Sequence, residues 1–81
     1  MAILNITLKG ASADYPRAVR FDMPEADVKR LAVEVVRSGE VPGLYDARVN
    51  TNTFSTFVVD RISTHGGGQR LYLRPKVPFG E

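Results

Sequence analysis

The chain has 81 residues, a net charge of +2 and no cysteine. A domain of this length buries only roughly 60% of the surface its unfolded chain exposes, so it is a single domain with little room for an enclosed catalytic cavity. The missing cysteine excludes disulfides, cysteine–zinc sites and thiol catalysis. With 43% hydrophobic and 25% charged residues the composition is that of a globular protein. The small basic excess permits nucleic-acid binding without demanding it and excludes an acidic nucleic-acid mimic.

The N-terminus lacks the basic region of a secretory signal, since Met1, Ala2, Ile3 and Leu4 are followed by polar Asn5, Thr7 and Lys9 among the apolar residues. No apolar run approaches the roughly 18 residues of a membrane span. A cytoplasmic protein without a membrane partner is the expectation. Ile3 to Lys9 alternates, with Leu4, Ile6 and Leu8 on one face and Asn5, Thr7 and Lys9 on the other, which predicts a half-buried strand. Gly10 to Pro16 is rich in turn formers and reads as a loop. Arg17 to Met23 alternates again, with Val19, Phe21 and Met23 apolar, and predicts a second strand joined to the first as an antiparallel hairpin.

From Pro24 to Ser38 the period changes to that of an amphipathic helix, with Val28, Leu31, Ala32 and Val35 on one stripe. Asp22 and Glu25 have the spacing of a capping box, and Pro24 suits a first turn. Glu25 and Asp27 lie at the positive end of the helix dipole and Arg37 at the negative end. Glu25 and Lys29 form a favourably ordered i, i+4 pair, and Gly39 stands where a left-handed C-cap is wanted. Val41 to Gly43 reads as a turn. Leu44 to Asn50 alternates, with Tyr45, Ala47 and Val49 on one side, and predicts a third strand. Thr51 to Thr53 then closes a hairpin onto a long strand from Phe54 to Ile62, with Phe57 and Val59 inward. His65 to Gln69 is a Gly-rich flexible loop. Arg70 to Arg74 alternates, with Leu71 and Leu73 inward, and Pro75 ends that strand. Residues 75–81 form an irregular tail of the single domain, 1–81. Within it Pro75 to Phe79 offers either a docking segment or a Phe79 cap on the core.

The expected architecture is α+β, ββαβββ: a single sheet of four to five strands with one helix packed on one face and the first strand central. Carried by Ile3–Lys9, Arg17–Met23, the acidic helix start Pro24 to Lys29 and the terminal strand Leu71 to Arg74, the sequence resembles the ubiquitin-like β-grasp family. The resemblance implies that the last strand pairs parallel to the first in the middle of the sheet, and that the chain acts as a docking module. The chain ends in Phe79, Gly80 and Glu81 rather than in the Gly-Gly of a conjugated modifier, so conjugation is not expected.

No constellation of residues points to an enzyme or to a cofactor. His65 is the only histidine; alone it makes no metal site and has no orienting partner for base catalysis. The run Gly66 to Gly68 followed by Arg70 opens a strand, whereas a P-loop carries Lys-Ser/Thr and opens a helix. The carboxylates are scattered. The sharper signal is Arg20, Arg70, Tyr72 and Arg74. With the first, second and last strands adjacent, all four project from the face opposite the helix, and Arg48 joins them if its strand sits alongside. Exposed tyrosine ringed by arginines is the composition of a recognition patch, against which stands the plain reading of a solvated sheet face. The expected function is a non-enzymatic protein-interaction module, whether adaptor, regulator or inhibitor, including one encoded by a mobile element. It would use the open sheet face or an edge strand. The alternative is a small nucleic-acid-binding domain using the basic face and Gly-rich loop, for which one clear stacking aromatic is a weak platform. An exposed edge also offers a route to a homodimer.

Overall fold

Strand β1, Ile3–Leu8, buries Leu4, Ile6 and Leu8 and turns Asn5 and Thr7 to the opposite face, as its alternation dictates. The chain then reverses within two residues. Lys9 and Gly10 both have positive φ, 52° and 82°, the signature of a type I′ turn, whose twist matches that of the strands it joins. Leu8 therefore stands opposite Ala11, and the antiparallel partner of β1 is β2, Ala11–Asp14. This corrects both the loop expected at Gly10 to Pro16 and the strand expected at Arg17 to Met23. Turn-forming Ser12 and Asp14 are accommodated because their side chains find partners across the ladder. Ser12 Oγ donates to Asn5 at 2.8 Å, Asn5 Nδ2 donates to Asp14 at 2.8 Å, and Thr7 Oγ1 donates to Ser12 at 3.1 Å. The Arg17 to Met23 segment contributes one isolated bridge, Val19 with Ala2. Its apolar residues do point inward, with Val19 buried and Phe21 and Met23 packed against the core.

The computed structural model describes residues 1–76. Helix α1, Glu25–Arg37, begins at Pro24, whose carbonyl accepts from the amides of Asp27 and Val28. No side chain caps this end: Asp22 is held instead in a two-bond contact by Arg20, so the expected capping box does not form. Val28, Ala32, Val35 and Val36 are buried and Leu31 packs beside them. The Glu25–Lys29 pair closes at 3.3 Å. Gly39, at φ 79°, ends the helix as a Schellman cap, with the Glu40 amide donating to the Val35 carbonyl at 2.9 Å and the Gly39 amide to Val36.

Residues 38–57 contain no strand, which corrects the strand expected at Leu44 to Asn50. Polar side chains there take the backbone groups a ladder would need. The Arg48 amide donates to the Asp46 carboxylate at 2.9 Å, the Asn52 amide to Asn50 Oδ1 at 2.8 Å, and the Asn50 amide to Thr53 Oγ1 at 2.9 Å. The segment is held to the core by Val41, Leu44, Val49 and Phe54, while Tyr45 and Ala47 face outward. The expected long strand also shortens. Phe54 to Phe57 is a turn, and β3 runs Val58–Ser63, followed by β4, Gln69–Arg74.

The sheet order is β2-β1-β4-β3, with β1 and β4 parallel at its centre and the outer pairs antiparallel. The parallel pair is joined by a long crossover containing α1, as parallel strands require. The described residues thus form a four-stranded mixed sheet with one helix on one face; the core lies between them. The inward side of β3 is tied down by Arg61, whose guanidinium donates to the carbonyls of Phe21 and Met23 at 2.7 and 2.6 Å. Pro75 and Lys76 belong to no element, and the rest of the expected tail, including Phe79, lies outside the described residues. No helix among the described residues is long and apolar enough to cross a membrane.

Candidate functional site

The sheet face turned away from α1 is assembled row by row from the strand registers. One row runs Ile3, Arg70, Ile62 across β1, β4 and β3. The next runs Asp14, Asn5, Tyr72, Asp60 across all four strands. A third brings Ser12 opposite Thr7 and Arg74 opposite Val58. Tyr72 stands at the middle of this lattice, half-buried, with Arg70 and Arg74 on either side along its own strand.

Both arginines are already paired. Arg70 lies over the Tyr72 ring, with its guanidinium carbon 5.4 Å from the ring centroid, and reaches Asp14 at 2.7 Å. Arg74 contacts Asp60 at 2.5 Å. The face therefore carries two cations and two anions in direct contact, and its charge cancels locally. At one end of the lattice Ile3 and Ile62 are 42% and 45% exposed, two aliphatic side chains open to water. The combination is a flat, charge-balanced surface with an aromatic centre and an apolar margin.

Of the five residues singled out in the sequence, three converge: Arg70, Tyr72 and Arg74. Arg20 and Arg48 do not join them. Arg20 lies in the irregular chain beyond the Val19 bridge and turns onto Asp22 at 3.0 Å, a contact that raises the Arg20 pKa and lowers that of Asp22. Arg48 lies in the irregular 38–57 segment, its side chain 84% exposed beside Asp46. Both placements follow from the strands that did not form, since the expected alignment required strands at Arg17 to Met23 and Leu44 to Asn50. The site residues missed in the sequence are Asp14, Asp60, Ile3 and Ile62. Asp60 and Ile62 have the outward parity implied by an inward Val59. Asp14 carried no such signal while its segment read as a loop.

Asp46 gives a separate, structural result. Its carboxylate accepts from the Arg48 amide and from Lys9 Nζ at 2.9 Å, joining the β1–β2 turn to the segment after the helix, and 13% of its side chain is exposed. The Arg48 amide first, and then the Lys9 ammonium, hold its pKa down at about 2, against 3.8 for the free group. A lowered folded-state pKa stabilises the fold above the unfolded value, and that contribution is lost as pH falls through the folded one. Asp46→Asn is expected to lower the melting temperature at neutral pH and to flatten its fall between about pH 4 and pH 2. Thermal melts by circular dichroism across that range check this. An acid limb identical to that of the unsubstituted protein would refute the assignment.

Elsewhere, His65 sits in the exposed β3–β4 loop, which closes on itself through Thr64 and Gly68. Among the described residues no three metal-ligating side chains cluster. Along α1 a groove is lined by Lys29, Arg30, Val33, Glu34, Arg37 and Thr51, among others. Two of its cations are engaged, Lys29 by Glu25 and the Ser55 carbonyl and Arg30 by Asp27. Comparison with known proteins finds no family model, no curated protein and no solved structure that matches this chain.

Proposed function

We propose that this chain is a non-enzymatic protein-interaction module of ubiquitin-like, β-grasp architecture, and that it docks a protein partner on the open sheet face around Tyr72. The architectural part is supported by the order β2-β1-β4-β3 with a parallel central pair. The observation that carries the docking part is the placement of half-buried Tyr72 at the centre of a helix-free face whose charges cancel and whose margin exposes Ile3 and Ile62. Aromatic residues ringed by contacts that exclude water are the usual anchors of protein interfaces.

The same pairing ranks nucleic acid second. A phosphate backbone is bound by cations that release its counterions, and here Arg70 and Arg74 are already opposed by Asp14 and Asp60. Self-association through the β3 edge is disfavoured by charge. Antiparallel pairing sets opposite residues on the same face, so the two in-phase registers of greatest overlap place Asp60 against Asp60 or Arg61 against Arg61. A different protein is the better partner.

The test is capture of interacting proteins from host lysate by the tagged domain, with nuclease present, in parallel with Tyr72→Ala and Ile62→Asp. A defined polypeptide retained by the unsubstituted domain and lost with both variants is the expected result. Tyr72→Ala is expected to cost about 1 kcal/mol, a fall in melting temperature of about 4–8 °C. Capture that survives both substitutions, or that disappears with nuclease, would overturn the reading.

A further inference from the structure

Arg70 is the one unsettled member of the sheet face. Its backbone sits between Ile3 and Ile62, yet its guanidinium does not stay in that row. It leans across Tyr72 and reaches over β1 to Asp14 on β2. The contact is a single bond, from Nη2 to Oδ1 of Asp14, and the same oxygen also accepts from Asn5 Nδ2 at 2.8 Å. The reach leaves Arg70 Nε buried with no acceptor, the only side-chain nitrogen or oxygen in that condition among the described residues. A guanidinium satisfies a carboxylate best through two parallel bonds, and a buried donor left unmade is costly. Asp14 is therefore an incomplete partner, and the conformation it holds covers the ring that the docking face is built around.

Resting on the docking-face reading, we propose that Arg70 is a latch released by a carboxylate of the partner, and that the partner presents this carboxylate between apolar side chains. An incoming Glu or Asp takes Nε and Nη2 together as a fork, which supplies the acceptor Nε lacks. The guanidinium leaves Asp14, the Tyr72 ring is uncovered, and the apolar neighbours of the carboxylate settle on Tyr72, Ile3 and Ile62. Asp14 keeps its bonds within the β2 ladder and is 46% exposed, so water solvates the charge left behind. A single negative charge suits this exchange. A phosphate dianion would set four negative charges, its own two with Asp14 and Asp60, against the two arginines, one more than a carboxylate brings.

The experiment is an NMR titration of the full chain, following the arginine Nε–H and tyrosine ring signals. The probes are acetyl-Ser-Leu-Glu-Leu-Ser-amide and two analogues with Gln or phosphoserine in the central position. The Glu peptide is expected to shift Arg70 Nε–H and the Tyr72 ring, with the Gln peptide roughly tenfold weaker. Arg70→Lys, which keeps the charge without the fork, is expected to bind the Glu peptide roughly tenfold more weakly. Asp14→Asn, which weakens the competitor, is expected to bind it several-fold more tightly; circular dichroism melts verify that both variants fold. Equal shifts from the Glu and Gln peptides would sink the latch while leaving the face as a docking surface. So would preference for phosphoserine, or absence of any shift at Arg70, provided that partner capture still depends on Tyr72. Loss of that dependence would remove the docking reading itself.

Discussion

Ile6→Asp unfolds the domain. Ile6 is completely buried at the middle of β1, with Ala13 of β2 on one side and Leu73 of β4 on the other, and it faces α1. No buried polar residue lies within reach to pair with a carboxylate, because among the described residues the core contains none. An ionised group placed there either stays charged without a partner or takes up a proton, and either route costs several kcal/mol in addition to the lost apolar contacts. A domain of this size has about 4–12 kcal/mol in total. The expected result is loss of the cooperative thermal transition by circular dichroism at neutral pH. Ile6→Val, which keeps the shape and removes one methyl group, should cost about 0.5–1.5 kcal/mol and still melt cooperatively. A cooperative Ile6→Asp melt close to that of the unsubstituted protein would mean that β1 is not the central buried strand.

Strand β1 is written plainly in the sequence. Its alternation of Leu4, Ile6 and Leu8 against Asn5 and Thr7 is a local signal, and the helix was equally local, down to Gly39 at its C-terminus. The strands expected at Arg17 to Met23 and Leu44 to Asn50 are absent because a competing local bond overrode the alternating pattern. Lys9 and Gly10 form a tight turn that the sequence signals weakly, because Lys is not a common residue at positive φ. Once that turn formed, Ala11 to Asp14 was placed beside β1, and the better-alternating Arg17 to Met23 was displaced to a single bridge. Leu44 to Asn50 alternates as well as any strand, yet Asp46 turned its carboxylate onto the Arg48 amide and, farther on, Asn50 and Thr53 satisfied neighbouring backbone groups.

The docking face divides in the same way. The outward parity of Arg70, Tyr72 and Arg74 follows from Leu71 and Leu73 being inward, and was legible. The pairing that changes the meaning of these arginines was not. Arg70 meets Asp14 across 56 residues of sequence, and Arg74 meets Asp60 across 14. A patch that reads as basic in one dimension is balanced in three, because the sheet brings a carboxylate to each cation.

Phe54→Ala tests the part of the fold that the sequence concealed. Phe54 is completely buried, the largest of the fully buried side chains, and packs edge-on against Phe57 with ring centroids 5.0 Å apart. It belongs to the strandless 38–57 segment, which has no ladder to hold it in place. The segment stays on the core through Val41, Leu44, Val49 and Phe54, so truncating its largest anchor removes contacts that no backbone pairing replaces. Phe54→Ala is expected to cost about 3–5 kcal/mol, a fall in melting temperature of roughly 15–30 °C. Phe57→Ala, at a half-buried position, should cost clearly less. Hydrogen exchange separates two ways of losing this stability. If the segment is one cooperative unit with the sheet, amides of β1 and β4 lose protection together with it. If it opens alone, β1 and β4 stay protected while the Asp46 amide, bonded to the Val36 carbonyl, exchanges fast. A loss under about 1 kcal/mol would contradict both, and would mean that Phe54 does not anchor the segment to the core.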